Sequence, residues 1–567
     1  MKLPQRTRGL NFFEIDPDLH LVLESLQPAE FSRWRGVLSG FGAWVGGPLD
    51  EEAAYTDRFA RPRLIPYEPM GALINHIQYN PSWENAAREI YKRGIVGLNY
   101  IEDRASYLIT FAMGYLTSQS DVSLHCPATM TGAVAHILNR FAPEAVRTAY
   151  LPQLVRMDGD ALSAGTWATE LHGGSDIGAT TTVARRNGNH YLLTGLKWFT
   201  SNVDGGIAIA TARPENASGG SKGLGLYLVP GLLPDGAPNP MRIRRLKDKL
   251  GTCGIATGEV DLTDSYAIEV AGPPDGFKLM MEALEFSRIH NALSGAGVQR
   301  RAFLEALCFA ANRNAFGDVI ISYPMIQNEL VMMRVALEAD LALAFEATFA
   351  FDQAWRMPLD IPVAERTWLR LCTALAKYQT AETANRSCRA AIELIGGNGY
   401  TYDYVTPRLL RDAQVLSVWE GPANVQALEV LRLLKERYAG FDLFRTRVSE
   451  IAEAASAELS KLAIILRDAL ADCAKAADFV TESTSEGTRH ARRLMGYMAQ
   501  VLAAALLVEQ AVRELQVGND RKALVARAYI EQHLAPWPRR GIGETSNWIY
   551  KEFGRFIEQD VKALSRG

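Results

Sequence analysis

Cysteine is sparse in this chain. Six are scattered through 567 residues (Cys126, Cys253, Cys308, Cys372, Cys388 and Cys473), with no CxxC pair and no histidine at ligand spacing. That excludes a disulfide framework and a sequence-encoded metal site; reduced, mostly buried thiols are expected. An excess of one charge sign is also missing. The net charge of −4 gives no global attraction to nucleic acid or to an anionic membrane. No apolar run approaches the ~18 residues that a membrane span requires. The opening stretch, MKLPQRTRGLNFFEIDPDLH, has no apolar h-region and carries acids early, unlike a secretory signal. A cytoplasmic location is the expectation. There is no internal repeat, no low-complexity tract, no GxGxxG and no Walker loop.

What is present is ordinary globular material. Apolar residues make up 48% and charged residues 22%, enough to bury large cores. At roughly 100–200 residues per domain the length predicts three or four lobes. Residues 1–65, rich in aromatics, Gly and Pro, read as an N-terminal arm. Residues 66–160 carry apolar positions at three- and four-residue spacing, a helical pattern. At 161–275 the texture changes to short β-like runs separated by turn signals such as Asn187-Gly188 and Gly219-Gly220. At 276–440 long helical stretches return, at about 277–312, 325–356, 363–394 and 412–437, which predicts a bundle. Residues 441–567 form a further Ala-rich helical extension with nearly balanced charge. The fold class is therefore mainly α with a central β domain.

Four short stretches carry chemistry. TWATELHGGSDIGATTT (166–182) is dense in Gly and hydroxyl residues, and backbone N–H groups in such a turn can approach a phosphate closely. LTGLKWFTSN (193–202) places Trp198 and Thr200 on one face of a strand, an aromatic wall beside a hydroxyl. RNAFGDVIISYPMIQNEL (313–330) ends one long helix and begins another, with Arg313 just before Phe316-Gly317. In SVWEGPANV (417–425), Glu420 is a lone carboxylate in an apolar turn, and the nearest charges in sequence are Asp412 and Glu429. Each alone has a plain structural explanation. For Glu420 it is an acid at a helix start, with Pro422 near the first helical position.

Together the pieces resemble the acyl-CoA dehydrogenase flavoprotein family. T-E-x-x-G-G-S-D, K-W-F-T, R-x-x-F-G, G-G-N-G-Y, R-D-A and E-G-x-x-N occur in family order at family spacing, from about 66 to 437. SLHCPATMT (123–131), the Trp of VWEG, RRLKDKLGTCGIATGEV (244–260) and the C-terminal extension are similar to the alkylation-response, AidB-like branch and its long-chain relatives. The resemblance implies a helical domain, a β-barrel-like domain and a four-helix bundle, binding FAD in an oligomer that is usually a tetramer. It places Thr169 at the flavin pyrimidine edge, Gly174 and Ser175 at the pyrophosphate, Trp198 beside the isoalloxazine and Thr200 near N5. Arg313, Phe316, Gln327, Gly396 and Gly397 match contacts to the FAD of a neighbouring subunit, and Asn424 a polar position four after the glutamate. Glu420 matches the base that removes the α-proton of an acyl-CoA thioester while flavin N5 accepts the β-hydride. In this family the carbonyl is polarised partly by the base residue's own N–H, here that of Glu420, and Gly421 beside it is a substrate-binding candidate. Arg288 matches an arginine near the substrate mouth, or else pairs with Glu285 on a helix surface.

Departures are visible. Pro422 stands where a hydroxyl is usual, Glu393 where Gln is frequent, and Ala315 lacks the usual hydroxyl. An electron-accepting flavoprotein would be the redox partner. The alternative is a flavoprotein of the AidB-like branch that binds duplex DNA with little turnover. Its phosphate contacts would come from basic clusters at 489–493, 520–527 and 538–540.

Overall fold

The first sixty residues are helical rather than an extended arm. In the computed structural model, which describes residues 3–357, 361–482, 484–535 and 547–566, helices run Pro17–Leu26, Pro28–Trp44 and Asp50–Phe59. The prolines that read as loop signals are helix starts: Pro17 and Pro28 each occupy the first turn, where no backbone N–H is needed. Asp16 caps the first helix, its Oδ1 accepting from Leu19 N at 3.2 Å. The aromatics are core residues, with Phe12, Phe13, Phe31, Phe41 and Trp44 all buried. At Gly46 a Cβ would lie 1.9 Å from Leu10 O, so that glycine permits a close chain crossing.

The chain forms two compact units that are not linear segments. One comprises Pro48–Ser106 and Asp121–His290. It contains a two-stranded antiparallel ribbon, Arg63–Tyr67 with Leu73–Gln78, within the stretch that the sequence pattern read as wholly helical. Its main sheet has seven strands in the order Ala164–Trp167, Ile207–Pro214, Val183–Asn187, His190–Ser201, Thr257–Ala271 and Gly225–Pro230, with Met241–Leu246 also on Thr257–Ala271. Gly225–Pro230 pairs back onto Ile207–Pro214. Five strands thereby close into a ring without free edges, as in a barrel. Trp167, Leu193, Tyr227, Val229 and Val260 fill its interior.

The other unit comprises Met1–Gly47, Tyr107–Ser120 and Asn291–Gly567. Its long helices are the end of Asp275–Asn312, then Pro324–Arg356 and Val363–Ile395. The stretch expected as one helix over 412–437 is two, Thr406–Leu416 and Ala423–Leu433, broken at Glu420. The extension adds Gly440–Glu453, Ser460–Glu482, Thr484–Gln516, Arg521–His533 and Phe553–Leu564. Within it, Gly487–Gln516 is long and apolar enough to cross a membrane, yet 72% of its apolar window is buried in the protein, the pattern of a core helix.

Eight buried charges tie this unit together. Arg334 Nε lies 3.0 Å from Asp560 and 3.2 Å from Glu338. Lys522 Nζ lies 3.0 Å from Asp18, Arg521 Nη1 donates to Glu338 at 3.1 Å, and Arg300 approaches Asp16 at 3.6 Å. Four carboxylates balance four cations. The cations hold Asp18 well below the usual carboxylate range against the opposing effect of burial. Removing one member of such a cluster typically costs about 3–5 kcal/mol, because its partner is left charged in a poor solvent. The network joins the N-terminal helix, the bundle and the extension into one folding unit.

Candidate active site

Glu420 sits in a tight turn between Thr406–Leu416 and Ala423–Leu433, with left-handed backbone at φ 57°. Gly421 follows at φ 94°. For a residue with a Cβ the left-handed region costs roughly 1–2 kcal/mol, so the turn has to be held by its surroundings. Gln426 Nε2 donates to Glu420 O at 3.0 Å and to Gly421 O at 3.1 Å. Lys377 Nζ donates to Gly421 O at 2.8 Å. Trp419 Nε1 donates to Asn291 Oδ1, and Asn291 Nδ2 donates to Leu416 O at 3.2 Å. Gln426 and Lys377 are buried. A Cβ at Gly421 would meet Gln426 Nε2 at 2.8 Å, so both space and φ require glycine there.

The helix-start explanation of Glu420 does not hold. The residue preceding the next helix is Pro422, and no side chain caps that end. Asn424 lies exposed on the first turn. Gln426 and Lys377 were not read as functional from sequence. Gln426 follows the E-G-x-x-N element by two residues, which is the only local signal for it.

The Gly-rich turn belongs to the β-containing unit. Glu170, next to Thr169, is its anchor. Its carboxylate accepts from Thr181 N and Oγ1 at 2.7 and 2.6 Å, from Thr182 N and Oγ1 at 3.1 and 2.6 Å, and from Lys197 Nζ at 2.9 Å. Lys197 also donates to Thr211 O at 2.7 Å. Burial by itself would raise the Glu170 pKa; Lys197 and the threonine donors outweigh it and hold it down to about 2. Burial draws the Lys197 ammonium below its ordinary value, with Glu170 opposing. Both residues stand inside the motif elements T-E and K-W, and their pairing is visible only in three dimensions.

The turn so anchored is open on its outer side. Gly173 has φ 120°, and a Cβ at Gly174 would lie 2.6 Å from Thr169 Oγ1. Gly174 therefore packs directly on the Thr169 hydroxyl, while Gly174 and Ser175 face solvent. Exposed backbone and two hydroxyls beside a close-packed glycine suit a pyrophosphate.

On the strand His190–Ser201 the register slips between Lys197 and Thr200. Regular alternation is lost, and Lys197 and Thr200 are both fully buried. The Thr200 hydroxyl donates to Gly258 O at 2.8 Å, so its hydrogen is already in use. Trp198 is half-buried, with Lys247 Nζ 3.4 Å from its ring centre. Arg288 is buried and donates to Glu285 Oε2 at 3.2 Å; the pair lies inside, not on a helix surface. Beside it Phe286 stacks on His290, and His290 Nδ1 lies 2.9 Å from His125 Nε2. Burial pushes His125 down to about 3 and His290 well below its ordinary value, so both are neutral. This histidine pair was also missed, although His125 stands within SLHCPATMT.

In the helical unit, Arg313, Phe316, Gly396 and Gly397 are exposed. Phe316 is 99% exposed at the tip of a two-residue hairpin, with φ 54°, and Gly317 follows at 97°. Gln327 turns back, its Nε2 donating to Ile321 O at 3.1 Å. Glu393 is offset by Arg389 at 3.6 Å. Of the basic clusters, Arg521 and Lys522 are inside the buried network and out of reach of phosphates, and Arg527 pairs with Glu531 at 2.7 Å. Arg492 pairs with Glu382 at 3.1 Å, and 538–540 lie outside the described residues. Among the described residues no group of three or more His, Cys, Asp or Glu could hold a metal ion.

Comparison with known proteins agrees in both sequence and fold. Residues 3–161 match the adaptive response protein AidB N-terminal domain, 165–265 the acyl-CoA dehydrogenase middle domain, 274–435 the acyl-CoA dehydrogenase C-terminal domain, and 440–545 the acyl-CoA dehydrogenase 11 C-terminal domain-like model. The putative acyl-CoA dehydrogenase AidB of Escherichia coli is 30% identical over 73% of this chain and 76% of its own length. Acyl-CoA dehydrogenase family member 11 of Caenorhabditis elegans is 29% identical over 92% of this chain and 87% of its own. The crystal structure of Caenorhabditis elegans ACDH-11 in complex with C11-CoA superposes with a TM-score of 0.87 at 28% identity, covering 97% of this chain and 96% of that one.

Proposed function

The chain belongs to the acyl-CoA dehydrogenase family, and on that premise we propose that it desaturates an acyl-CoA thioester between the α and β carbons, with Glu420 as the base. The observation that carries this reading is the left-handed, externally clamped backbone of Glu420. Strain kept in place by three hydrogen bonds is the mark of a side chain whose position matters more than its local comfort. The fold shared with a C11-CoA complex supports an acyl-CoA as the substrate class.

The Thr169–Ser175 turn fits FAD, because its packed glycine, two hydroxyls and exposed backbone form a cradle for the pyrophosphate, with Trp198 as an aromatic wall. Bound FAD supplies the acceptor for the β-hydride. The chain's own part is proton removal: the Glu420 carboxylate takes the α-proton, and the electron pair of that C–H bond becomes the new double bond. The N–H of Glu420 itself, in the turned backbone next to Gly421, is a donor for the thioester carbonyl, where negative charge develops. Gln426 and Lys377 occupy the carbonyls of the turn, so that its shape persists through the reaction.

The fully exposed Phe316 at a strained hairpin tip supports a surface that meets a second copy of the chain, and a homotetramer with an electron-accepting flavoprotein as redox partner completes the reading. Burial of Arg521 and Lys522 weighs against the DNA-binding alternative.

The test is anaerobic titration of the purified flavoprotein with acyl-CoAs of graded chain length. Bleaching of the flavin is expected with at least one chain length, and Glu420→Gln should retain FAD and lose bleaching. Absence of bleaching with every chain length, or full bleaching in the variant, overturns the assignment.

A further inference from the structure

The helical unit has a concavity, none of whose lining residues belongs to the Glu420 turn. It lies among the helices Pro324–Arg356, Val363–Ile395 and Arg521–His533, and is a half-open cleft with a cavity volume of about 150 Å³. Its buried polar lining is Asp340 and Tyr529, each 1% exposed, together with Gln379, Thr383 and Ser387. Gln299 Nε2 donates to Asp340 Oδ2 at 2.9 Å. Asp340 Oδ1 and Tyr529 Oη have no hydrogen-bond partner among the described residues. Leaving a buried polar group unsatisfied typically costs about 1–3 kcal/mol. Two residues with such atoms in the lining of one cleft call for an occupant.

The charge pattern defines the occupant. No ion pair reaches Asp340 among the described residues; Arg386, exposed at the rim, is the cation that acts on it. Burial raises the Asp340 pKa to about 6, with Gln299, Thr383, Arg386 and Gln379 opposing. His533, packed on Tyr529 at 4.4 Å, brings no charge, because burial and Arg386 push it down to about 4. Glu329 adds a second carboxylate to the lining. The apolar part of the lining is Met332, Met333, Ala336 and Ala390. The cleft thus has a buried carboxylate that no ion pair reaches, with Arg386 acting on it only from the rim, a free phenol and an apolar portion.

We propose that this cleft binds a small alkylammonium compound, with its ammonium on Asp340 and Tyr529 and its methylenes along Met332, Met333 and Ala336. An ammonium has three donors and no acceptor, which suits the two open oxygens, Asp340 Oδ1 and Tyr529 Oη. Its charge supplies the direct ion pair that the buried carboxylate lacks. An alcohol of equal length has one donor and no charge, and a carboxylate would meet Asp340 with repulsion.

The experiment is calorimetric titration of the full-length protein with butylamine, butanol and butyrate. Saturable binding of butylamine is expected, with butanol and butyrate much weaker. Asp340→Asn should lower butylamine affinity by at least about tenfold, since a charged hydrogen bond is lost; Tyr529→Phe should lower it less. Should Asp340→Asn fail to fold, Ala336→Leu, which fills the apolar side, is expected to abolish binding. The proposal is overturned if butylamine does not saturate, if butanol or butyrate binds equally well, or if the variants that fold keep full affinity. In those cases the cleft holds water only.

Discussion

Gln426 donates one amide to two successive carbonyls, those of Glu420 and Gly421, at 3.0 and 3.1 Å. Both acceptors have positive φ, and a regular helical turn would not point two consecutive carbonyls at one nitrogen. Gln426 is therefore a positioning residue for Glu420. Gln426→Leu keeps the volume and removes both bonds, each worth about 1 kcal/mol. We expect kcat for acyl-CoA oxidation to fall by about tenfold or more, with KM changed far less, and with circular dichroism unaltered. An equal rise in KM with kcat intact would show that the amide only stabilises the helix start.

The backbone at position 420 separates strain from chemistry. Glycine adopts φ 57° without penalty, so Glu420→Gly relieves roughly 1 kcal/mol of strain and adds a similar entropy cost through the unfolded chain. Its thermal midpoint should match that of the parent while flavin bleaching disappears. Glu420→Val, β-branched in the same turn, should lower the midpoint clearly. If all three proteins melt together, the turn is not left-handed in solution.

The Glu170–Lys197 pair sets the acid limit of the β-containing unit. The Glu170 pKa is held down to about 2, below its ordinary 4.5, so its stabilising contribution is complete above about pH 5 and is lost as pH falls toward 2. The thermal midpoint should decline through that window. Glu170→Gln leaves a buried ammonium without its carboxylate and should cost about 3–5 kcal/mol together with FAD retention. Adding Lys197→Met should restore part of the stability. A single variant as stable as the parent would remove the pair from its anchoring role.

Asp340 behaves in the opposite sense. Its folded-state value is raised to about 6 from 3.8, so stability is fully present below pH 3.8 and is lost as pH rises through 6. Asp340→Asn should match the parent near pH 4 and exceed it at pH 8 by at most about 3 kcal/mol. Thermal melts across this range check it, and a gap independent of pH would contradict it.

The motif set from T-E-x-x-G-G-S-D to E-G-x-x-N was legible because short elements carried on one backbone keep their spacing in sequence. The β-like texture after residue 161 was legible for the same reason: strand alternation and turn residues are local properties. The N-terminal helices were misread because Pro and Gly mean opposite things in different settings. Pro17 and Pro28 start helices, and Gly46 admits a crossing chain; only the packing shows which meaning applies. The break at Glu420 was hidden inside a continuous helical pattern. Arg521 and Lys522 looked like a basic surface cluster because sequence shows charge without showing where the opposing charge lies.

By itself, then, the sequence determined the family, the order of helical and β segments, and the identity of the lone carboxylate, all of which depend on residue type and short-range spacing. Only the tertiary structure decided that Glu420 is left-handed and clamped by Gln426 and Lys377, that Glu170 is locked to Lys197, and that Asp340 and Tyr529 share one cleft. Those relationships join residues up to about two hundred positions apart. They arise from packing and from charge in a poor solvent, and neither leaves a local trace in the chain.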